Sequence, residues 1–205
     1  ALVDAGRILE GTTGFTTAKI SAQHGLVYSE FLTNFRPEIA RSYYEANIEG
    51  LNFIREMVQT HQIDCDFKEE TSYLYTNQED KLDDLRKEFD AYQELGIPGQ
   101  WHDSLPIPVE AKGAISMPGQ AQFNPIKYLK FFVEKFIENG GLIYENTTIE
   151  GAVYGKPIEA YTIDGKYRFY CNEMVVTTHY PFWNVPAGYF SRLNIERSYA
   201  IVVKP

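Results

Sequence analysis

The chain opens on Ala1-Leu2-Val3-Asp4-Ala5-Gly6-Arg7, an apolar strand end closed by an acidic residue, and Gly11-Thr12-Thr13-Gly14-Phe15-Thr16-Thr17-Ala18-Lys19 follows at once. In a dinucleotide fold a glycine-rich turn follows the first strand. An acidic side chain roughly 20 residues later, at the end of the second strand, then accepts hydrogen bonds from the adenosine ribose. Asp4 fits that second position, and no residues stand upstream of it to supply the first. We therefore expect a piece of a longer polypeptide. An acidic residue at a strand end also commonly begins a turn, which is the competing role for Asp4.

The opening segment, Leu2 to Gly25, resembles the corresponding stretch of FAD-dependent oxidoreductases of the glycine oxidase and D-amino-acid oxidase family. There the second strand ends in Glu or Asp before a turn rich in Gly, Ser and Thr that lies against the pyrophosphate and flavin. Small residues let the backbone approach an anion, and hydroxyls and free N–H groups at a helix start bind it. The resemblance implies Asp4 as ribose ligand, with Arg7, Gly11, Thr12, Thr13, Thr16, Thr17 and Lys19 as cofactor-binding candidates. This chain has Phe15-Thr16 where the family often has Arg-Asn.

Two later segments extend the resemblance. Gly119-Gln120-Ala121-Gln122-Phe123-Asn124-Pro125, followed by Tyr128-Leu129, is similar to the family's Gly-x-x-x-Pro-x-x-Leu entry into a helix. The strand after that helix gives backbone hydrogen bonds to the adenine, and Ile149 falls there. Glu173 to Phe182 resembles a Val-Val-x-Ala-x-Gly strand end near the dinucleotide, which makes Thr177 and Thr178 cofactor candidates, with Thr178-His179 where the family has Ala-Thr-Gly or Ala-Gly. Thr17 to Gly25 looks like a bacterial branch whose members add a C-terminal Rieske iron-sulfur domain.

Periodicity supplies the elements between. Apolar positions from Tyr28 to Val58 recur at helical spacing and are interrupted by Pro37, so a short helix before Asn34 and a long one from Pro37 are expected. A strand pair is expected at Cys65–Phe67 and Ser72–Thr76 around a polar Lys68-Glu69-Glu70, then a helix from about Glu79 to Leu95 stopped by Gly96. Residues 97–122, with four prolines and three glycines, read as loop and short strand. Asn124-Pro125 starts a helix ended by Gly140-Gly141, and Leu142 to Ile149 is a strand beside it. Ile158–Ile163 and Tyr167–Cys171 form a hairpin about Asp164-Gly165. Met174–Thr178 reads as a buried parallel strand and Arg197–Lys204 as a last strand. The order of elements resembles the same family over nearly the whole chain, which implies an α/β fold class: an incomplete FAD-binding Rossmann-like domain (1–25 and 124–183) interleaved with an α+β substrate domain (26–123 and 184–205) carrying a mostly antiparallel sheet.

Composition narrows the function. With a formal net charge of -9 the chain lacks the basic face a nucleic acid needs. No run of roughly 20 apolar residues is present to span a bilayer, and a cytoplasmic location is expected. Cys65 and Cys171 show neither a Cys-x-x-Cys pairing nor clustered histidines, so neither a disulfide framework nor a metal site is expected. No Ser-His-Asp or Cys-His set assigns a catalytic residue. His24, just past the loop, and Arg192 and Arg197, flanking the last strand, are substrate candidates; an arginine fork pairs well with a carboxylate. His61 and His102 are expected on the surface or in loops. The fifteen tyrosines suit a substrate cavity, and equally the packing of a sheet.

The function expected is oxidation of a small amine or amino acid by hydride transfer to FAD, in a parent protein whose missing N- and C-terminal parts complete the site. The chain alone should bind FAD poorly and be inactive. A non-catalytic binding or assembly module is the alternative. An NAD(P)-dependent reductase would need a second dinucleotide motif.

Overall fold

A computed structural model describes residues 1–183, 188–194 and 196. The chain forms two compact units, one of residues 1–8 with 139–205 and one of residues 9–138. These packing units are divided differently from the expected segments: the threonine-rich loop and the helix after Asn124 pack with residues 26–123.

In the larger unit β5 (Gly113–Gln122) is the central strand. One edge pairs antiparallel with β3 (Lys68–Thr76). Its other neighbours are β2 (Lys19–Ile20), at Ala121 and Gln122, and β4 (Gln100–His102), at Ala114 to Ser116. The region read as loop therefore holds the strand on which the sheet is built. Its Pro118 and Gly119 coincide with the register shift between Glu70 and Ser72 of the partner, where an irregular ladder tolerates a residue with no N–H. Lys68-Glu69-Glu70 is likewise not a turn between two strands. It is the first part of β3, and Cys65–Phe67 lies outside any strand. Charged residues are at home on a strand paired along one edge only.

The helices follow the sequence. α1 (Val27–Asn34) ends at an extended Phe35, and α2 (Pro37–His61) begins with proline where its missing N–H has no helical acceptor to lose. α3 (Leu82–Leu95), preceded by a 3-10 turn at Glu79–Lys81, ends at Gly96, whose φ of 63° is the left-handed cap glycine favours. Tyr28, Ala40, Tyr44, Leu85, Tyr92 and Leu95 from these helices pack on Ile115 and Met117 of β5. A second cluster joins Ile63, Cys65 and Tyr128, the last from α4 (Pro125–Glu138). Asn124 caps α4 by accepting from Lys127 N–H at 3.1 Å.

In the smaller unit β1 (Leu2–Val3) runs parallel to β6 (Ile143–Tyr144). Asp4 N–H donates to Tyr144 O at 2.9 Å, and Thr147 N–H donates to Asp4 O at 2.9 Å. β7 (Ile149–Val153), β8 (Ile158–Thr162) and β9 (Arg168–Cys171) form an antiparallel meander. The β8–β9 turn is the expected one, with Asp164 accepting from Thr162 and from Lys166 N–H and Gly165 at φ 68°. Met174–Thr178 is not a strand: it joins no ladder among the described residues, and Val175 is 84% exposed. β-branched composition favours a strand only where a neighbour accepts its hydrogen bonds. The expected Arg197–Lys204 strand lies outside the described residues.

Candidate functional site

Two hollows, one in each unit, are lined by six of the candidates. The first, about 510 Å³, lies in the smaller unit. Val3 and Ala5, on either side of Asp4, line it with Thr148 and Ile149, and Met174, Thr177 and Thr178 contribute too. The segment that fails to be a strand thus forms a wall instead, and its apolar side chains suit a flat, weakly polar ligand such as a nucleobase. Asp4 follows β1 and stands between two lining residues, itself outside the lining. Its Oδ1 accepts from Gly6 N–H at 2.8 Å, so the turn role read from the sequence is real. Oδ2 has no protein partner among the described residues, and a carboxylate oxygen in that position suits a ribose hydroxyl. Cys171 also lines this hollow and is half-buried, while Cys65 is buried in the other unit.

The second hollow, about 620 Å³, lies in the larger unit between the threonine-rich loop and the start of α4. Thr13, Gly14, Thr16 and Thr17 line it opposite Asn124 to Lys127, with Asp66 and Lys68 at its side. The loop enters as a 3-10 turn, Gly11–Thr13, whose first residue sits at φ 65°. Lys127 pairs with Asp66, Nζ to Oδ2 at 2.9 Å, and this hydrogen bond raises the ammonium's pKa above its ordinary value. Hydroxyls, two lysines and a helix start form a donor set that suits an anion, with Asp66 opposing it.

Other candidates lie elsewhere. Gly11, Thr12 and the exposed Lys19 of β2 line neither hollow, nor does Arg7, which is exposed. Arg192 ends an exposed 3-10 turn, and Arg197 lies outside the described residues. His24 is exposed, with Nδ1 2.7 Å from Tyr43 Oη. His102, expected on the surface or in a loop, is on β4, half-buried, with Nε2 2.8 Å from Ser116 Oγ. Sequence reasoning missed Lys68 and Lys127. A lysine in the first turn of a helix opposes the helix dipole, and that was the available signal.

A profile for FAD-dependent oxidoreductases, the DAO family, matches residues 1–205. The chain belongs to this family. It is 38% identical over 204 residues to YhfW of Bacillus subtilis strain 168, which carries the name of a Rieske 2Fe-2S iron-sulfur protein. That alignment covers 100% of this chain and 40% of the relative, so the chain spans less than half of it. Among solved structures, glycine oxidase from Geobacillus kaustophilus aligns with a TM-score of 0.57 and 18% identity over 83% of this chain and 46% of that one. L-amino acid deaminase from Proteus vulgaris aligns with a TM-score of 0.60 and 14% identity, over 83% and 39%. The α/β fold with antiparallel sheets is that of this oxidoreductase family. Among the described residues no helix is long and apolar enough to cross a membrane.

Proposed function

We propose that this chain is the part of a flavin-dependent amine or amino-acid oxidoreductase that receives the adenosine end of FAD. The carrying observation is the hollow lined by Val3, Ala5, Ile149, Thr177 and Thr178, with Asp4, whose Oδ2 has no protein partner among the described residues, next in the chain to two of its lining residues. Apolar walls take the adenine face, and the carboxylate oxygen takes a ribose hydroxyl. In the other unit Thr13, Thr16, Thr17 and Lys127 supply donors of the kind a pyrophosphate accepts. Bound FAD supplies a hydride acceptor for the carbon beside a substrate nitrogen. That chemistry needs no side-chain nucleophile. The chain's own residues bind the cofactor, orient it and keep water away.

The 205 residues contain no Gly-x-Gly-x-x-Gly. We therefore place the missing phosphate turn in other segments of a longer polypeptide, in keeping with the 40% coverage of the Bacillus relative. FAD should bind this chain weakly, and tight stoichiometric yellow binding would contradict that expectation.

Cys171 reports on the site directly. With Cys65 buried as an internal control, alkylation of Cys171 should slow when FAD or adenosine diphosphate is added in millimolar excess and stay unchanged with FMN, which lacks the adenosine. Unchanged alkylation with all three removes the adenosine site from this hollow.

A further inference from the structure

α2 carries a second apolar row besides the face it buries. Ala40, Tyr44 and Leu51 are its buried residues. Away from them Ile39, Ala46 and Phe53 recur at every seventh position, two helical turns apart, and so stand in line along the helix. Ile39 is 50% exposed, Phe53 is 58% exposed, and Ala46 is exposed between them. A single exposed apolar side chain is ordinary; a row of them on one helix marks a surface that meets something. Residues of α2 line neither hollow.

Gly50 stands one turn from Ala46, next to this row. Glycine is less favourable than alanine inside a helix, yet a Cβ at Gly50 would meet nothing within 4 Å. The chain itself therefore supplies no steric reason for it. A second helix crossing at Ala46 and Gly50 does, because the distance between packed helices is set by the side chains at the crossing.

Charge defines what that helix carries. Glu38, Glu45, Glu49 and Glu56 are exposed and follow the apolar row along one border. α2 holds no lysine, and both of its arginines are engaged: Arg41 Nε lies 2.8 Å from Glu45 Oε1, and Arg55 Nε lies 2.7 Å from Glu69 Oε1. Glu38, Glu49 and Glu56 have no ion-pair partner among the described residues. A second copy of α2 would bring more glutamates and no uncommitted arginine, so the matching cations belong to a different sequence. The row is also narrow and edged by charge, whereas permanent interfaces are broader and more apolar.

We propose that the outer face of α2 docks a basic amphipathic helix of a separate protein. Its apolar residues lie along Ile39, Ala46 and Phe53, its lysines or arginines meet Glu38, Glu49 and Glu56, and Gly50 lets the two backbones approach.

Fluorescence anisotropy tests this with a labelled peptide of about 20 residues, built as heptads with leucine and alanine on one face and lysine along its border. A peptide of the same composition in scrambled order, equally charged but without a face, is the control. The heptad peptide should bind at least about tenfold more tightly than the control. Phe53→Ser and Gly50→Lys should each weaken it about tenfold without lowering the thermal midpoint, since neither side chain is buried. Glu49→Gln with Glu56→Gln should flatten the salt dependence of binding. Equal affinity for the two peptides overturns the proposal. So does sedimentation of the unaltered chain as a dimer that Phe53→Ser dissociates, which gives the face to a second copy. A longer parent polypeptide that refuses the peptide overturns it too, and gives the face to another part of the same protein.

Discussion

Glu88 on α3 closes the first turn of α1: its Oε2 accepts from Ser29 N–H at 2.7 Å, and its Oε1 accepts from Tyr28 N–H at 3.1 Å. α1 has no side-chain cap of its own, so an acid from another helix satisfies two of its free N–H groups. Tyr28 O–H also donates to Ala22 O at 2.6 Å, so the cap supports the residues that follow β2.

Glu88→Ala should therefore destabilise the chain by roughly 3 kcal/mol, since it leaves two N–H donors buried without an acceptor and opens a cavity. Glu88→Gln keeps one acceptor oxygen and should cost less. Urea denaturation at fixed pH measures both. Equal stability of the alanine variant and the unaltered chain would show that α1 does not depend on this cap.

Burial pushes the Glu88 carboxyl above its ordinary 4.5, and the N–H donors from Ser29 and Tyr28 only partly offset it. A carboxyl with a raised pKa in the folded state binds protons more tightly there than in the unfolded chain. Its contribution is greatest below 4.5 and declines as pH rises through the folded value. Glu88→Gln should flatten that decline in the window just above 4.5. Asp164 works in the opposite sense. Thr162 Oγ1–H and Lys166 N–H donate to its carboxylate and lower its pKa below the ordinary 3.8, so its support of the β8–β9 turn is present above 3.8 and lost on acidification. Amide exchange of Tyr167 in an Asp164→Ala chain, followed from neutral to acid pH, separates this local loss from global unfolding.

Gly99 marks a close approach. A Cβ there would lie 2.7 Å from the Tyr92 ring and 3.0 Å from the carbonyl oxygen of Ser116 on β5. Tyr92 is fully buried and the carbonyl belongs to the central strand, so neither side yields easily. Gly99→Ala should cost about 1–3 kcal/mol by overpacking. A thermal midpoint within a degree of the unaltered chain would mean that residues 97–100 move without cost.

The sequence made legible what local chemistry decides. Pro37 divided two helices, Gly96 and Asn124-Pro125 bounded two more, and Asp164-Gly165 turned the hairpin. What it concealed depends on partners distant in the chain. β5 was hidden by Pro118 and Gly119, because the tolerance of a ladder irregularity is set by β3, over forty residues earlier. Met174–Thr178 misled in the other direction: its composition suits a strand, yet it lines a hollow. Of the cofactor candidates, Thr13, Thr16 and Thr17 line one hollow and Ile149, Thr177 and Thr178 the other, while Asp4, Arg7, Gly11, Thr12 and Lys19 line neither. Glu88 carried no motif, since its role arises only when α1 and α3 come together.

Asp4 offers a separable test of the adenosine hollow. Asn keeps an acceptor oxygen for Gly6 N–H but puts an amide donor where Oδ2 stood, so the turn survives while the ribose acceptor is lost. Asp4→Asn should therefore leave the melting temperature nearly unchanged and raise the adenosine diphosphate concentration that half-protects Cys171 about tenfold, the equivalent of roughly 1.4 kcal/mol. Asp4→Ala should show the same loss of protection together with reduced stability, because the Gly6 N–H contact goes too. Equal protection in the Asp4→Asn and unaltered chains would reduce Asp4 to a turn residue and leave the hollow without its ribose ligand.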